Sequence, residues 1–190
     1  MLLPELEQGA LVGGTALSLL YGHRRSIDLD VFFTEGFDRQ RILEALIQEF
    51  GSELQYEGMR PEFAIFCFIS GVKVDIVNYQ HPLIGNVLVK DGIRLCSTAD
   101  ICGMKLNAVL GRGKKKDFFD LYELLKSNSL EDIFDYYHKK YPDQMLAVSL
   151  PQALTYFVDA EENEDPVSLN DTSWDEVKHG LRVAVSKYLS

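Results

Sequence analysis

The chain has 190 residues, 46% hydrophobic and 25% charged, a balance typical of globular proteins and not of disordered or fibrous ones. Its formal net charge of −10 argues against a surface that attracts nucleic acid or anionic membrane as a whole. No apolar run approaches the ~20 residues needed to cross a bilayer, and the opening MLLPELEQG lacks a basic stretch leading into a long apolar one, so a cytoplasmic protein without membrane contact is expected.

In chain order, Ala10 to Val12 is a short apolar run that meets Gly13-Gly14, after which Leu17, Leu20 and Tyr21 fall at helical spacing. The pattern predicts strand, glycine turn, helix. The polar stretch His23, Arg24, Arg25, Ser26 leads into IDLDVFF, whose alternation predicts a strand with Asp28 and Asp30 on one side. Asp38 is placed to cap a helix running to Phe50. Phe63 to Ile69 and Val72 to Tyr79 flank Ser70-Gly71, and Val87 to Lys90 and Ile93 to Leu95 flank Asp91-Gly92, two hairpin signatures.

From Ser97 the period turns helical. Ser97 and Asp100 open a helix to Leu110, GRG interrupts it, and KKKDFFDLYELLK begins another. Ser129 caps LEDIFDYYHKKY, and Asp143 to Val158 reads as a helix bent near Pro151. The acidic Glu161 to Thr172 stretch reads as a loop, and Ser173 with Glu176 forms a capping box for a last helix. The expected architecture is α+β: a small mixed-sheet core over residues 1–96, then a helical region over 97–190. Cys67, Cys96 and Cys102, odd in number and without a CxxC pair, suggest neither disulfides nor zinc but buried apolar side chains.

The chemistry concentrates in a few residues. Glycines at a strand-to-helix turn let a triphosphate approach backbone N–H groups at a helix N-terminus, and the Thr15 hydroxyl adds a donor. Two carboxylates one residue apart on a strand, Asp28 and Asp30, suit Mg²⁺, which prefers oxygen ligands and keeps positions for substrate phosphate. Asp75 lies within the apolar strand VKVDIVNY, where an acid is costly unless a positive group compensates it. Were the two strands neighbours, the three acids would converge on a pair of metals.

These residues carry a resemblance. GGTALSLLYGHRRSIDLDVF resembles the opening signature of the AbiEii/AbiGii-type nucleotidyltransferases, bacterial abortive-infection and toxin-antitoxin toxins of the polymerase-beta-like superfamily. Asp75 stands where the superfamily's third strand acid is expected, KLNAVLGRGKKKDFFDLYELL resembles the family's later lysine and aspartate segment, and the tail DAEENEDP with SWDEVK is similar too. The resemblance implies Gly13, Gly14 and Thr15 on the phosphates, Asp28, Asp30 and Asp75 as catalytic metal ligands, and Arg25, Ser26, Lys105 and Asp117 near the nucleotide. Lys116 and Asp120 are alternative registers for the last two. Many superfamily members carry Gly-Ser at the turn where this chain has Gly-Gly-Thr, with Thr15 in place of the serine hydroxyl.

The function implied is Mg²⁺-dependent transfer of NMP from an NTP to a hydroxyl of tRNA, a protein or a small molecule, in a toxin with a cognate antitoxin. Phosphoryl transfer to a serine and a non-catalytic partner module are the alternatives. Against these stand ordinary readings. Arg24 and Arg25 serve equally as surface charges or phosphate contacts, Ser26 as loop cap or contact, and GRGKKK as a solvated helix start or an RNA contact. His23, His81, His138 and His179 lack ligand spacing, and Phe118, Phe119, Tyr122, Tyr136 and Tyr137 read as packing residues.

Overall fold

A computed structural model describes residues 3–56, 58 and 62–190. The first half builds a sheet: β1 (Ala10–Val12), α1 (Gly13–Tyr21), β2 (Leu29–Phe33), α2 (Arg39–Phe50), β3 (Leu54–Gln55), β4 (Ala64–Ile69), β5 (Val72–Asn78), β6 (Leu88–Lys90) and β7 (Ile93–Leu95). Helices follow: α3 (Thr98–Gly111), α4 (Lys115–Leu124), α5 (Leu130–Lys140), α6 (Leu150–Thr155), α7 (Val158–Glu161) and α8 (Trp174–Leu189). The α+β class expected from the sequence is the one observed. No helix among the described residues is long and apolar enough to cross a membrane.

The seven strands run in the order β3-β4-β5-β2-β1-β7-β6. Pairing is antiparallel except between β2 and β5 and between β1 and β7. Both expected hairpins form. Ser70 and Gly71 take φ of 51° and 78°, and Asp91 and Gly92 take 51° and 77°, the left-handed pair of a two-residue turn whose twist matches the strands. α2 lays Ile42 and Leu46 on one sheet face against Phe33, Ile65, Cys67, Val74 and Ile76. A second core joins β1 and α1 to the helices, through Ile101, Leu106, Phe118, Leu121, Tyr137, Trp174 and Leu181.

Helix starts follow the caps read from the sequence. The Arg41 N–H donates to Asp38 at 3.0 Å, and Ser97, Ser129 and Ser173 each accept from the backbone three residues on. One helix expectation is corrected. No bent helix runs from Asp143 to Val158; α6 starts only at Leu150, with Ser149 and Gln152 as a capping box and Pro151 in the first turn. Proline lacks the N–H that a helix interior needs but costs nothing at a first turn, so it begins this helix instead of bending one. The three cysteines are buried, and burial raises their thiols to about 11 for Cys67 and Cys96 and about 12 for Cys102.

Candidate active site

Strand register brings two of the acids together. Asp30 pairs with Asp75 across the parallel β2·β5 ladder and with Val12 across the antiparallel β1·β2 ladder. Directly paired residues point to the same face, so both carboxylates stand on the side carrying α1. Asp28 lies just before β2, 40% exposed, with Lys116 Nζ at 3.7 Å. Asp75 is hydrogen-bonded through Oδ2 by Lys73, while its buried Oδ1 has no partner among the described residues. Burial, and next the charge of Asp75, push the Asp30 carboxyl above the ordinary carboxylate value.

The glycine turn sits over these acids. Gly13 has φ +70°, and a Cβ there would lie 2.9 Å from Asp30 Oδ2, so both conformation and the approach of the carboxylate require glycine. Among the described residues no N-cap side chain bonds the first turn of α1, the end of a helix that favours an anion. The Thr15 hydroxyl is already engaged: it donates to the Asp28 carbonyl and lies 3.0 Å from Ser26 Oγ, so it and Ser26 brace the loop that carries Asp28. Arg25 is exposed; its N–H donates to the Val167 carbonyl at 2.8 Å.

Arg24 differs from its neighbour, and here the open choice between surface charge and phosphate contact is resolved as neither. Its guanidinium is buried, donating to Asp120 through Nε at 2.6 Å and Nη2 at 2.8 Å. His23 Nε2 lies 2.7 Å from the same carboxylate, and Lys105 Nζ is 2.6 Å from Asp120 and 3.2 Å from Asp117. Arg112 then donates to both Asp117 oxygens at 2.9 and 3.0 Å. Burial works to raise both acids, but Lys105, with Arg112 for Asp117 and His23 and Arg24 for Asp120, holds both carboxyls below the ordinary range. Lys105 is opposed by burial yet raised by Asp120 and Asp117. Lys105 and Asp117, expected beside a nucleotide, sit inside a buried ionic network that joins α3 and α4 to the loop after α1.

The GRGKKK cations do not form one patch. Lys115 is 6% exposed and bonded to Asp165 at 2.7 Å, and its N–H donates to Asn163, so the acidic loop caps α4. Arg112 is bonded to Asp117 and Lys116 lies 3.7 Å from Asp28, both side chains staying partly exposed, and Lys114 is exposed as well.

Comparison with known proteins identifies the family and the fold. Residues 3–61 match the family model described as "Nucleotidyl transferase AbiEii toxin, Type IV TA system". The uncharacterized protein aq_aa25 of Aquifex aeolicus is 32% identical over 191 aligned positions, covering 94% of this chain and 87% of its own. The chain belongs to the AbiEii nucleotidyltransferase family. Two solved structures share the fold of this AbiEii-type chain. MenT4, a nucleotidyltransferase toxin of Mycobacterium tuberculosis, superposes with a TM-score of 0.64 at 13% identity, covering 95% of this chain and 75% of that one. JHP933 of Helicobacter pylori gives 0.58 at 21% identity, covering 95% and 83%.

Among the described residues, the acids of this AbiEii-type protein do not close into a group of three ready to chelate an ion. Register sets Asp30 and Asp75 side by side, while Asp28, outside the strand, turns toward Lys116. The donor set nevertheless suits a hard cation. A buried Asp75 oxygen without a partner among the described residues, and an Asp30 carboxyl raised by burial and then by Asp75, would both be relieved by positive charge. Sequence reasoning missed the roles of His23, Arg24 and Arg112. The signal was faint, since their carboxylate partners are anonymous among many acids until α4 is placed.

Proposed function

We propose that this enzyme transfers the NMP group of an NTP to an acceptor hydroxyl, with Asp28, Asp30 and Asp75 as its catalytic carboxylates. The observation that carries the reading is the pairing of Asp30 with Asp75 beneath the Gly13-Gly14 turn. The first-turn N–H groups of α1 receive the β- and γ-phosphates, with Arg25 and Lys116 supplying cations at the rim. Mg²⁺ held by Asp28, Asp30 and Asp75 would neutralise phosphate charge and favour the departure of pyrophosphate. The acceptor oxygen forms a bond to the α-phosphorus as the bond to pyrophosphate breaks, and the Asp75 carboxylate accepts the hydroxyl proton.

Thr15, Ser26, Lys105 and Asp117 take positioning roles in this reading. Thr15 and Ser26 hold the Asp28 loop, and Lys105 with Asp117 steadies Arg112, whose charge is favoured first by its bonds to Asp117 and also by Asp30. The family assignment supports action as a toxin held in check by an antitoxin. Incubating the protein with Mg²⁺, cellular RNA and protein, and NTP labelled at the α- or the γ-phosphate tests the chemistry. Transfer of the α-label to an acceptor is expected; transfer of the γ-label alone would show phosphoryl transfer and overturn it.

A further inference from the structure

The sheet face that bears the acids does not end at Asp75. In the antiparallel β4·β5 ladder Phe66 pairs with Asp75 and Phe68 with Lys73, so both rings stand on the acid face, one strand farther from the glycine turn. Phe66 and Phe68 are each 46% exposed, while the alternating Ile65 and Cys67 are buried against α2 on the other face. Isolated exposed apolar residues are ordinary. Two aromatic rings at consecutive outward positions of one strand, beside a carboxylate whose buried Oδ1 has no partner among the described residues, form a defined surface. Lys73, half-exposed and paired with Phe68 across the ladder, adds a cation to it that is bonded to Asp75 in this structure.

The order of elements across the sheet says which substrate meets these rings. From β1 outward come the glycine turn, then Asp30 on β2, Asp75 on β5, and Phe66 with Phe68 on β4. An in-line displacement places attacking and leaving oxygens on opposite sides of the phosphorus. With pyrophosphate leaving toward the N–H groups of α1, the attacking hydroxyl enters from the Asp75 and β4 side. Whatever is attached to that hydroxyl lies over Phe66.

We infer that Phe66 and Phe68 form a stacking platform for the terminal base of a single-stranded nucleic-acid acceptor, a placement that rests on the NMP-transfer reading above. Rings that stack without sequence preference beside a cation for the backbone are the recurring chemistry of single-strand binding. An acceptor of this kind needs no basic surface over the whole molecule, which fits a chain of net charge −10.

The test uses the full-length protein and a short oligoribonucleotide ending in 3′-terminal 2-aminopurine, whose fluorescence is quenched by stacking. Phe66→Ala and Phe68→Ala should each weaken binding and quenching by roughly 5- to 150-fold, and Phe66→Tyr should preserve both. In turnover with RNA acceptor, the alanine variants should raise KM for RNA and leave KM for NTP unchanged. Unaltered binding in both alanine variants would overturn the platform. A rise in the KM for NTP instead would assign the rings to the donor base, and label found on protein but never on RNA would assign them to another acceptor; either result refutes the proposal. Should the wild-type protein consume no NTP, the transfer reading fails, and the quenching measurement still decides whether the rings stack a base.

Discussion

Arg24 grips Asp120 in a two-pronged hydrogen bond, Nε to Oδ1 at 2.6 Å and Nη2 to Oδ2 at 2.8 Å, across 96 residues of sequence. The pair fastens the loop between α1 and β2 to α4, with His23 and Lys105 on the same carboxylate. Removing one partner of a buried ionic pair leaves the other charge uncompensated, a loss of about 3–5 kcal/mol. Asp120→Ala should therefore lower stability by about that amount in urea denaturation, and Arg24→Lys, which cannot form the fork, should fall between it and wild type. A loss under about 1 kcal/mol for Asp120→Ala would mean that the network contributes little.

The same fork explains the second glycine. A Cβ on Gly14 would meet Arg24 Nη2 at 2.2 Å and Ser26 Oγ at 3.1 Å, and the guanidinium cannot retreat while Asp120 holds it. Gly14→Ala should lose about 1–3 kcal/mol and most turnover, since the turn that receives the phosphates must shift. In an Arg24→Ala background the added methyl should cost much less. Strict additivity in that double-mutant cycle would contradict the contact.

Asp30 carries an opposite stability effect. Its carboxyl is raised by burial and then by Asp75, so folding favours its protonated form; that contribution is full below the ordinary carboxylate pH and lost as pH rises through the raised value. At neutral pH the charged group opposes folding. Asp30→Asn should gain roughly 0.5–2 kcal/mol while turnover falls by about 100-fold or more. A variant both inactive and less stable in thermal melts would argue against this balance.

Acid should act through the network. Asp117 and Asp120 are held low, so their contribution is present above the unfolded value of about 3.9 and is lost as pH falls toward their folded values. The urea midpoint should decline below about pH 4, and Asp117→Asn with Asp120→Asn should flatten that decline. An unchanged slope would place the acid sensitivity elsewhere.

Local signals carried most of the fold. Two-residue turns at Ser70-Gly71 and Asp91-Gly92 and caps at Asp38, Ser97, Ser129 and Ser173 involve neighbours in sequence, and each forms as read. The two-residue strand β3 and the four-residue α7 are too short to leave a period. Pro151 misled because its effect depends on where the helix begins. In the site, the glycine turn and the Asp30 strand were legible as patterns, whereas Asp28, expected on the same strand face, falls on the loop before β2. The pairing of Asp30 with Asp75 required a parallel ladder between strands separated by α2, β3 and β4. Nothing local distinguished buried Arg24 from exposed Arg25, or buried Lys115 from its neighbours, because each partner lies far along the chain.

In the proposed mechanism Asp30 and Asp75, side by side on one sheet face, carry the transfer together with Asp28 on the loop before β2. The most direct measurement compares release of pyrophosphate from NTP, with Mg²⁺ and RNA acceptor, by wild type and by Asp28→Asn, Asp30→Asn and Asp75→Asn, each checked for an intact fold by circular dichroism. Losses of about 100-fold or more in all three folded variants are predicted. Wild-type turnover in any one of them would contradict the assignment.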